Sequence, residues 1–310
     1  MDPGSGSGMT KNFMLIGAHI SAAGGVVNAP KNASAIGCEV FQFFSRSPQG
    51  GKAPELTPDT VKEFKSNLKK YKQKECYIHA PYFINLASSN NRIYHGSISV
   101  LKEELERGSK LGVKYLMFHP GSAKDLGQTA AEKKVAQGIS EILKDYKGSC
   151  QLLIEMSAGA GQIIGDTFEE IDNIIKNVGA GLDPPAKKRT GQDLSLQKSL
   201  QDKIGVCYDT AHAFASGYDI RTPAAVKKTF NDFNKILGIK KLKLIHVNDS
   251  KTELNSHRDR HEHIGQGKIG LAGFHALLAE PKLKNINLIL ETPFGDLRQK
   301  DIKTLKKLRK

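Results

Sequence analysis

The stretch Lys241–Gly270, KLKLIHVNDSKTELNSHRDRHEHIGQGKIG, decides how the chain is read. It opens on a short apolar run that includes Leu242, Leu244 and Val247 and predicts a buried strand, bounded by the turn-forming Asn248, Asp249 and Ser250. His246 stands at the C-terminal end of that strand. A polar loop follows, in which Asp259 and His261 lie two residues apart, so in an extended segment both side chains point to the same side. Oxygen and nitrogen donors on one face suit a divalent metal, although a solvated charged loop has the same composition. Gly265, Gly267 and Gly270 allow tight turns before a helix beginning near Leu271.

Working outward, the same pattern of strand, polar strand end and helix recurs. Strands are expected at Phe13–Ile20, Val40–Ser45, Cys76–Ala80, Tyr115–His119, Gln151–Glu155, Ile204–Asp209 and Ile286–Glu291. Helices are expected near Pro58–Lys69, Ile93–Leu111, Ala130–Leu143, Thr167–Asn177 and Thr222–Leu237, with a last one from Leu297 to Leu308. Between Gly181 and Leu200 the pattern lapses into Gly, Pro and charge, which reads as an inserted mobile loop rather than a domain boundary. Eight strand-then-helix units with strands apolar on both faces call for a parallel sheet, and eight close into an α/β (β/α)8 TIM barrel. A doubly wound sheet competes, but GAHISAAGG after the first strand lacks the GxGxxG spacing of a dinucleotide loop.

Length and composition agree with one such domain. The chain has 310 residues; the first eight, MDPGSGSG, read as an expression scar ahead of Met9, leaving 9–310 as the domain. Without an apolar run long enough for a bilayer or a secretory leader, a soluble cytoplasmic protein with no membrane association is expected. A formal charge of +14 favours a polyanionic partner without saying which one. Cys38, Cys76, Cys150 and Cys207 are far apart and beside apolar runs, so they are expected to be buried, reduced thiols.

The chemistry lies at the strand ends. His79, His119, Glu155, Asp209, His246 and Glu291 each close an apolar run, and in a barrel those ends ring the C-terminal mouth where active sites sit. His212, Asp259 and His261 lie in loops on the same face, so five imidazoles and four carboxylates converge on one cavity. Gathering four carboxylates without cations is costly, and divalent ions offset the repulsion. Nine donors exceed one tetrahedral site and suit two or three ions, an arrangement that serves in-line displacement at phosphorus.

These residues carry a resemblance. IGAHISAAGG, HAPYFINLAS, FHPGS, the IE…AGAG of Ile154–Gly161, IGVCYDTAHAFASGYDIRTP, HVNDSK…RDRHEHIGQGKIG and LILETP resemble the motifs of endonuclease IV, the zinc-dependent apurinic/apyrimidinic (AP) endonucleases, from Phe13 to Pro293. The resemblance implies a barrel with three Zn2+ ions, Mn2+ being able to replace some. It also implies a monomer that acts on double-stranded DNA containing abasic sites. Such an enzyme cuts the phosphodiester 5′ to the lesion, leaving a 3′-hydroxyl and a 5′-deoxyribose phosphate, and trims 3′-blocked ends. It implies that His79, His119 and Glu155 hold one ion. Asp209, His246 and Glu291 hold the second with Glu155 bridging, and His212, Asp259 and His261 the third. Glu155 and Glu291 are thereby the catalytic carboxylates, Glu291 also orienting the nucleophile, with His19 nearby as a non-ligand that supports the site or contacts phosphate. Tyr82 and Phe83 fall on a DNA-penetrating loop, and Gln49 stands in the loop after the second strand where the family often has Arg. Met156 replaces the family's usual Asn, so a neighbouring hydrogen bond of the family is not expected here; with Gln49 and Gly51 in place of Arg and Trp, the 45–52 loop is expected to have few anchors. The other enzyme class served by this fold is the sugar isomerases and epimerases, which need neither nine donors nor a basic surface.

Overall fold

The structure, a computed structural model, describes residues 14–180 and 191–309. The first unit runs from β1 (Ile16–Ile20) to α1 (Ala29–Ala35), and the second from β2 (Val40–Phe43) to α2 (Pro58–Lys70). Next come β3 (Cys76–His79) with α3 (Asn91–Leu111), β4 (Tyr115–Phe118) with α4 (Gln128–Leu143), and β5 (Gln151–Glu155) with α5 (Phe168–Asn177). A further helix, α6 (Gly191–Asp202), precedes β6 (Ile204–Asp209), which leads through the short α7 (Thr210–Ala215) into α8 (Pro223–Ile236). β7 (Leu242–His246) is followed by a two-stranded antiparallel pair, β8 (Asp249–Ser250) and β9 (His261–Glu262), then by α9 (Gly270–Ala279). β10 (Asn287–Leu290) and α10 (Asp296–Leu308) complete the chain.

Eight strands pair in parallel and close in the order β1-β10-β7-β6-β5-β4-β3-β2, the barrel expected. Helix boundaries follow local chemistry. Thr57, Asn90, Thr167 and Thr222 each accept a hydrogen bond from a first-turn amide, and Pro58 and Pro223 occupy first-turn positions that need no amide donor. α3 stops at Gly112, whose φ of 78° gives the left-handed cap.

Alternation along the strands positions the site. Val40, Tyr77, Met117, Leu153, Cys207, Leu244 and Ile289 form one buried cluster separate from the larger apolar core, one residue from each strand from β2 onward around the barrel. Two residues further along the same strands stand Gln42, His79, His119, Glu155, Asp209, His246 and Glu291. A period of two keeps each pair on one face, so the apolar layer supports a polar layer directly above it. The four cysteines are buried and unpaired with one another, as expected.

Two expectations are corrected. The stretch Gly181–Leu200 is not simply a loop, because α6 occupies its second half; residues 181–190 and the first eight residues lie outside the described ones. Asn248, Asp249 and Ser250, read as turn formers that bound the strand, are fully buried, and Asp249–Ser250 form β8. The Asp249 carboxylate accepts amide bonds from Ser250, Gly265, Gly267 and Ile269 at 2.8–3.0 Å and from Gly270 at 3.3–3.4 Å, so it organises the loop that leads into α9. A Cβ at Gly267 would meet Asp249 Oδ1 and the Ser250 carbonyl at about 2.5 Å, which is why only glycine lets the loop wrap this closely.

Candidate metal centre

All nine predicted donors meet at the C-terminal mouth. Ligand atoms of His79, His119 and Glu155 lie within 4.8 Å of one another, and so do those of Glu155, Asp209, His246 and Glu291. A third group under the same limit is Asp209, His212 and His261. Asp259 adjoins it, its carboxylate 3.2 Å from His212 Nε2 and 3.4 Å from His261 Nε2. Glu155 is common to the first two groups: Oε2 sits 3.0 Å from His79 Nε2 and 3.7 Å from His119 Nε2, while Oε1 sits 2.7 Å from His246 Nδ1. Asp209 has a second task, since its Oδ1 accepts the His212 amide at 2.9 Å and so starts the helix that presents the His212 ring.

Backbone carbonyls and amides around the ring fix the imidazoles. His79 Nδ1 donates to the Ala80 carbonyl at 2.6 Å and His212 Nδ1 to the Met156 carbonyl at 2.9 Å, which leaves Nε2 of each as the nitrogen that faces the centre. His246 is turned the other way. Its Nε2 donates to Gln42 Oε1 at 2.7 Å, and its Nδ1 faces Glu155 and Glu291. Such outer partners select the tautomer that a metal needs. The Gln42 amide nitrogen donates to Glu291 Oε1 at 2.6 Å and to His19 Nδ1 at 2.9 Å. Asn248 ties two further donors together, its Nδ2 donating to Asp209 Oδ2 at 2.7 Å and its Oδ1 accepting from the Glu291 amide at 2.7 Å.

The electrostatics are those of a site awaiting cations. Burial opposes ionisation of Glu155 and Glu291, but the His246 imidazole beside both, with His119 near Glu155 and His19 near Glu291, holds the two carboxyls well below the usual range. Burial likewise opposes protonation of His212 and His246. Asp209, Asp259 and Glu155 around His212, and Cys207, Glu155 and Glu291 around His246, outweigh it and lift both well above an ordinary histidine. The donor set, buried carboxylates interleaved with imidazoles whose inward nitrogens converge, fits divalent ions. His19 is buried, is lowered by that burial, and lies 3.6 Å from Glu291 Oε1, a neighbour of the centre as expected.

The centre opens into a cavity of about 1020 Å3. Tyr82 lines it, 71% exposed, with Phe44 edge-on at 5.3 Å between ring centres. Phe83, the next residue, is 40% exposed and, like the exposed Gln49, lies outside the lining. The loop that carries Gln49 is better anchored than expected. Arg107 of α3 donates to the carbonyls of Ser45 at 2.7 Å and Pro54 at 2.6 Å, and buried Glu104 accepts from Ser45 Oγ at 2.6 Å, clamping both ends of the loop. Two residues missed in the sequence, Gln42 and Asn248, complete the support. Gln42 follows Val40 by two, as His79 follows Tyr77, a parity that becomes readable only once the barrel interior is known.

The family model described as "Xylose isomerase-like TIM barrel" matches residues 30–185 and 192–308. With the donor groups at the strand ends, this makes the chain a barrel enzyme of the histidine-carboxylate type. The "Probable endonuclease 4" of Halothermothrix orenii is 37% identical over 297 residues, covering 96% of this chain and all of that one. Endonuclease IV from Thermus thermophilus superposes with a TM-score of 0.77 at 30% identity, covering 95% of this chain and 97% of that one. The chain belongs to the endonuclease IV family and is a nuclease. A D-tagatose 3-epimerase-like protein, at 19% identity and a TM-score of 0.66, shares the fold alone, so the isomerase reading is not favoured.

Proposed function

We propose that the protein is a monomeric DNA-repair enzyme that holds three Zn2+ ions, with Mn2+ able to replace some. It hydrolyses the phosphodiester 5′ to an abasic site in double-stranded DNA inside the cell, and also clears 3′-blocked ends. The observation that carries this reading is the sharing of Glu155 between two donor groups, with a third group alongside. His79, His119 and Glu155 would hold one ion; Glu155, Asp209, His246 and Glu291 a second; His212, His261 and Asp259 a third, with Asp209 close enough to assist. Bound there, the ions would activate water and offset the charge that develops on the phosphoryl and leaving oxygens.

The chain's own residues do the rest. Glu155 keeps the first two groups in register through its two oxygens. Glu291, steadied at Oε1 by Gln42, presents Oε2 toward His246 and the centre and orients the attacking water. His19 adjoins Glu291 at the cavity edge, within reach of a substrate phosphate. Tyr82 and Phe83 fill the gap beside the displaced abasic nucleotide, Gln49 contacts the DNA less, and the excess of lysine and arginine engages the phosphate backbone.

The test uses a duplex carrying one tetrahydrofuran abasic analogue beside an intact duplex of the same sequence. Cleavage on the 5′ side of the analogue, absent from the intact duplex and abolished by prior chelation, is expected. Cleavage that survives complete metal removal would overturn the reading.

A further inference from the structure

Phe294 lies three residues beyond Glu291, between β10 and α10, and lines the cavity. Its ring is 74% exposed, the most of any large apolar side chain among the described residues. A single exposed phenylalanine is ordinary on a protein surface; what sets this one apart is its place at the cavity and the cation packed on it. The ring is also held in place. The Arg298 guanidinium packs on it, 3.9 Å from the ring centre, and Arg298 is itself buried. It donates to the His19 carbonyl at 2.8 Å and to the Thr292 carbonyl, so it joins the ends of β1 and β10 at the edge of the metal centre. One face of the ring is covered by a fixed cation, and the residue remains largely open to solvent beside the cavity.

We propose that Phe294 is a stacking platform for the nucleobase next to the abasic sugar on the cleaved strand. It lines the cavity beside the centre from the β10–α10 connection, three residues past Glu291, while Tyr82 lines the same cavity from the connection after β3. A planar π-face is what an aromatic ring prepositioned in this way recognises, whatever the base. Arg298 acts as the positioning residue. This inference rests on the proposed function.

The experiment uses the metal-loaded full chain and a duplex with a tetrahydrofuran site, 2-aminopurine beside it on the same strand, and an uncleavable methylphosphonate at the scissile linkage. Wild-type binding should quench 2-aminopurine by stacking. Phe294→Ala should lose much of that quenching and bind about five- to tenfold more weakly at one fixed salt concentration. Phe294→Tyr should restore both. On cleavable substrate the loss should fall on KM rather than kcat. Unchanged quenching and affinity in Phe294→Ala, with wild type still cutting the abasic duplex, would overturn this inference alone. Failure of wild type to cut would overturn the proposed function instead.

Discussion

Gln42 accepts a hydrogen bond from His246 Nε2 at 2.7 Å, and this contact decides which imidazole nitrogen faces the centre. Because Nε2 keeps its proton toward Gln42, Nδ1 is the nitrogen available to a metal, facing Glu155 and Glu291. Gln42→Leu keeps the bulk of the side chain but frees the ring. Metal affinity should fall about 10–100-fold, read by competition with a chromophoric chelator. Wild-type retention of all metal in that variant would show that His246 does not depend on Gln42.

Glu155→Gln and Glu291→Gln separate chemistry from binding. Each removes a charge from the centre, so turnover at saturating abasic DNA should fall at least about a hundredfold. Affinity should change little, since phosphate contacts by Lys and Arg dominate it. Near-normal turnover by either variant would remove that carboxylate from the mechanism.

The stability of the metal-free protein should depend on pH in a way the loaded protein does not share. Glu155 and Glu291 are depressed below 4.5, so their contribution is present above that value and is lost as pH falls through their lowered pKa values. His212 and His246 are raised above 6.5, so theirs is complete below 6.5 and is lost as pH rises through their raised values. The stripped protein should melt highest between those limits and lower as pH rises. Metal needs the imidazoles unprotonated, so the loaded protein should gain over the stripped one as pH rises. Parallel melting curves across this range would contradict the assigned charge states.

At the rim, Tyr82→Ala or Phe83→Ala should weaken binding to abasic duplex by about tenfold at fixed salt. Gln49→Ala should change it little, because Gln49 offers no aromatic face to a base and its loop is held at both ends by Arg107. A large effect of Gln49→Ala with little from the aromatics would reverse this assignment.

The barrel and its donors were legible in the sequence because each donor closes or shortly follows an apolar run, and parallel strands bring those ends to one mouth. What escaped was the support. Gln42 interrupts the apolar run VFQF, and until a barrel interior is known, nothing tells which parity along β2 faces it. Asn248 and Asp249 carry turn propensity, a local property, whereas their burial follows from the loop that folds back over them. The clamp on the 45–54 loop joins residues more than fifty positions apart, beyond any local pattern. Phe294 reads in sequence as one more apolar residue; only its exposure beside the cavity distinguishes it.

The most direct test of the three-metal account is activity on abasic duplex measured as Zn2+ is returned, one equivalent at a time, to fully stripped protein. Three groups that share carboxylates should fill as a unit, so activity should rise in proportion to the Zn2+ added and break to a plateau at the third equivalent. Full activity at one equivalent, or without metal, would contradict the account.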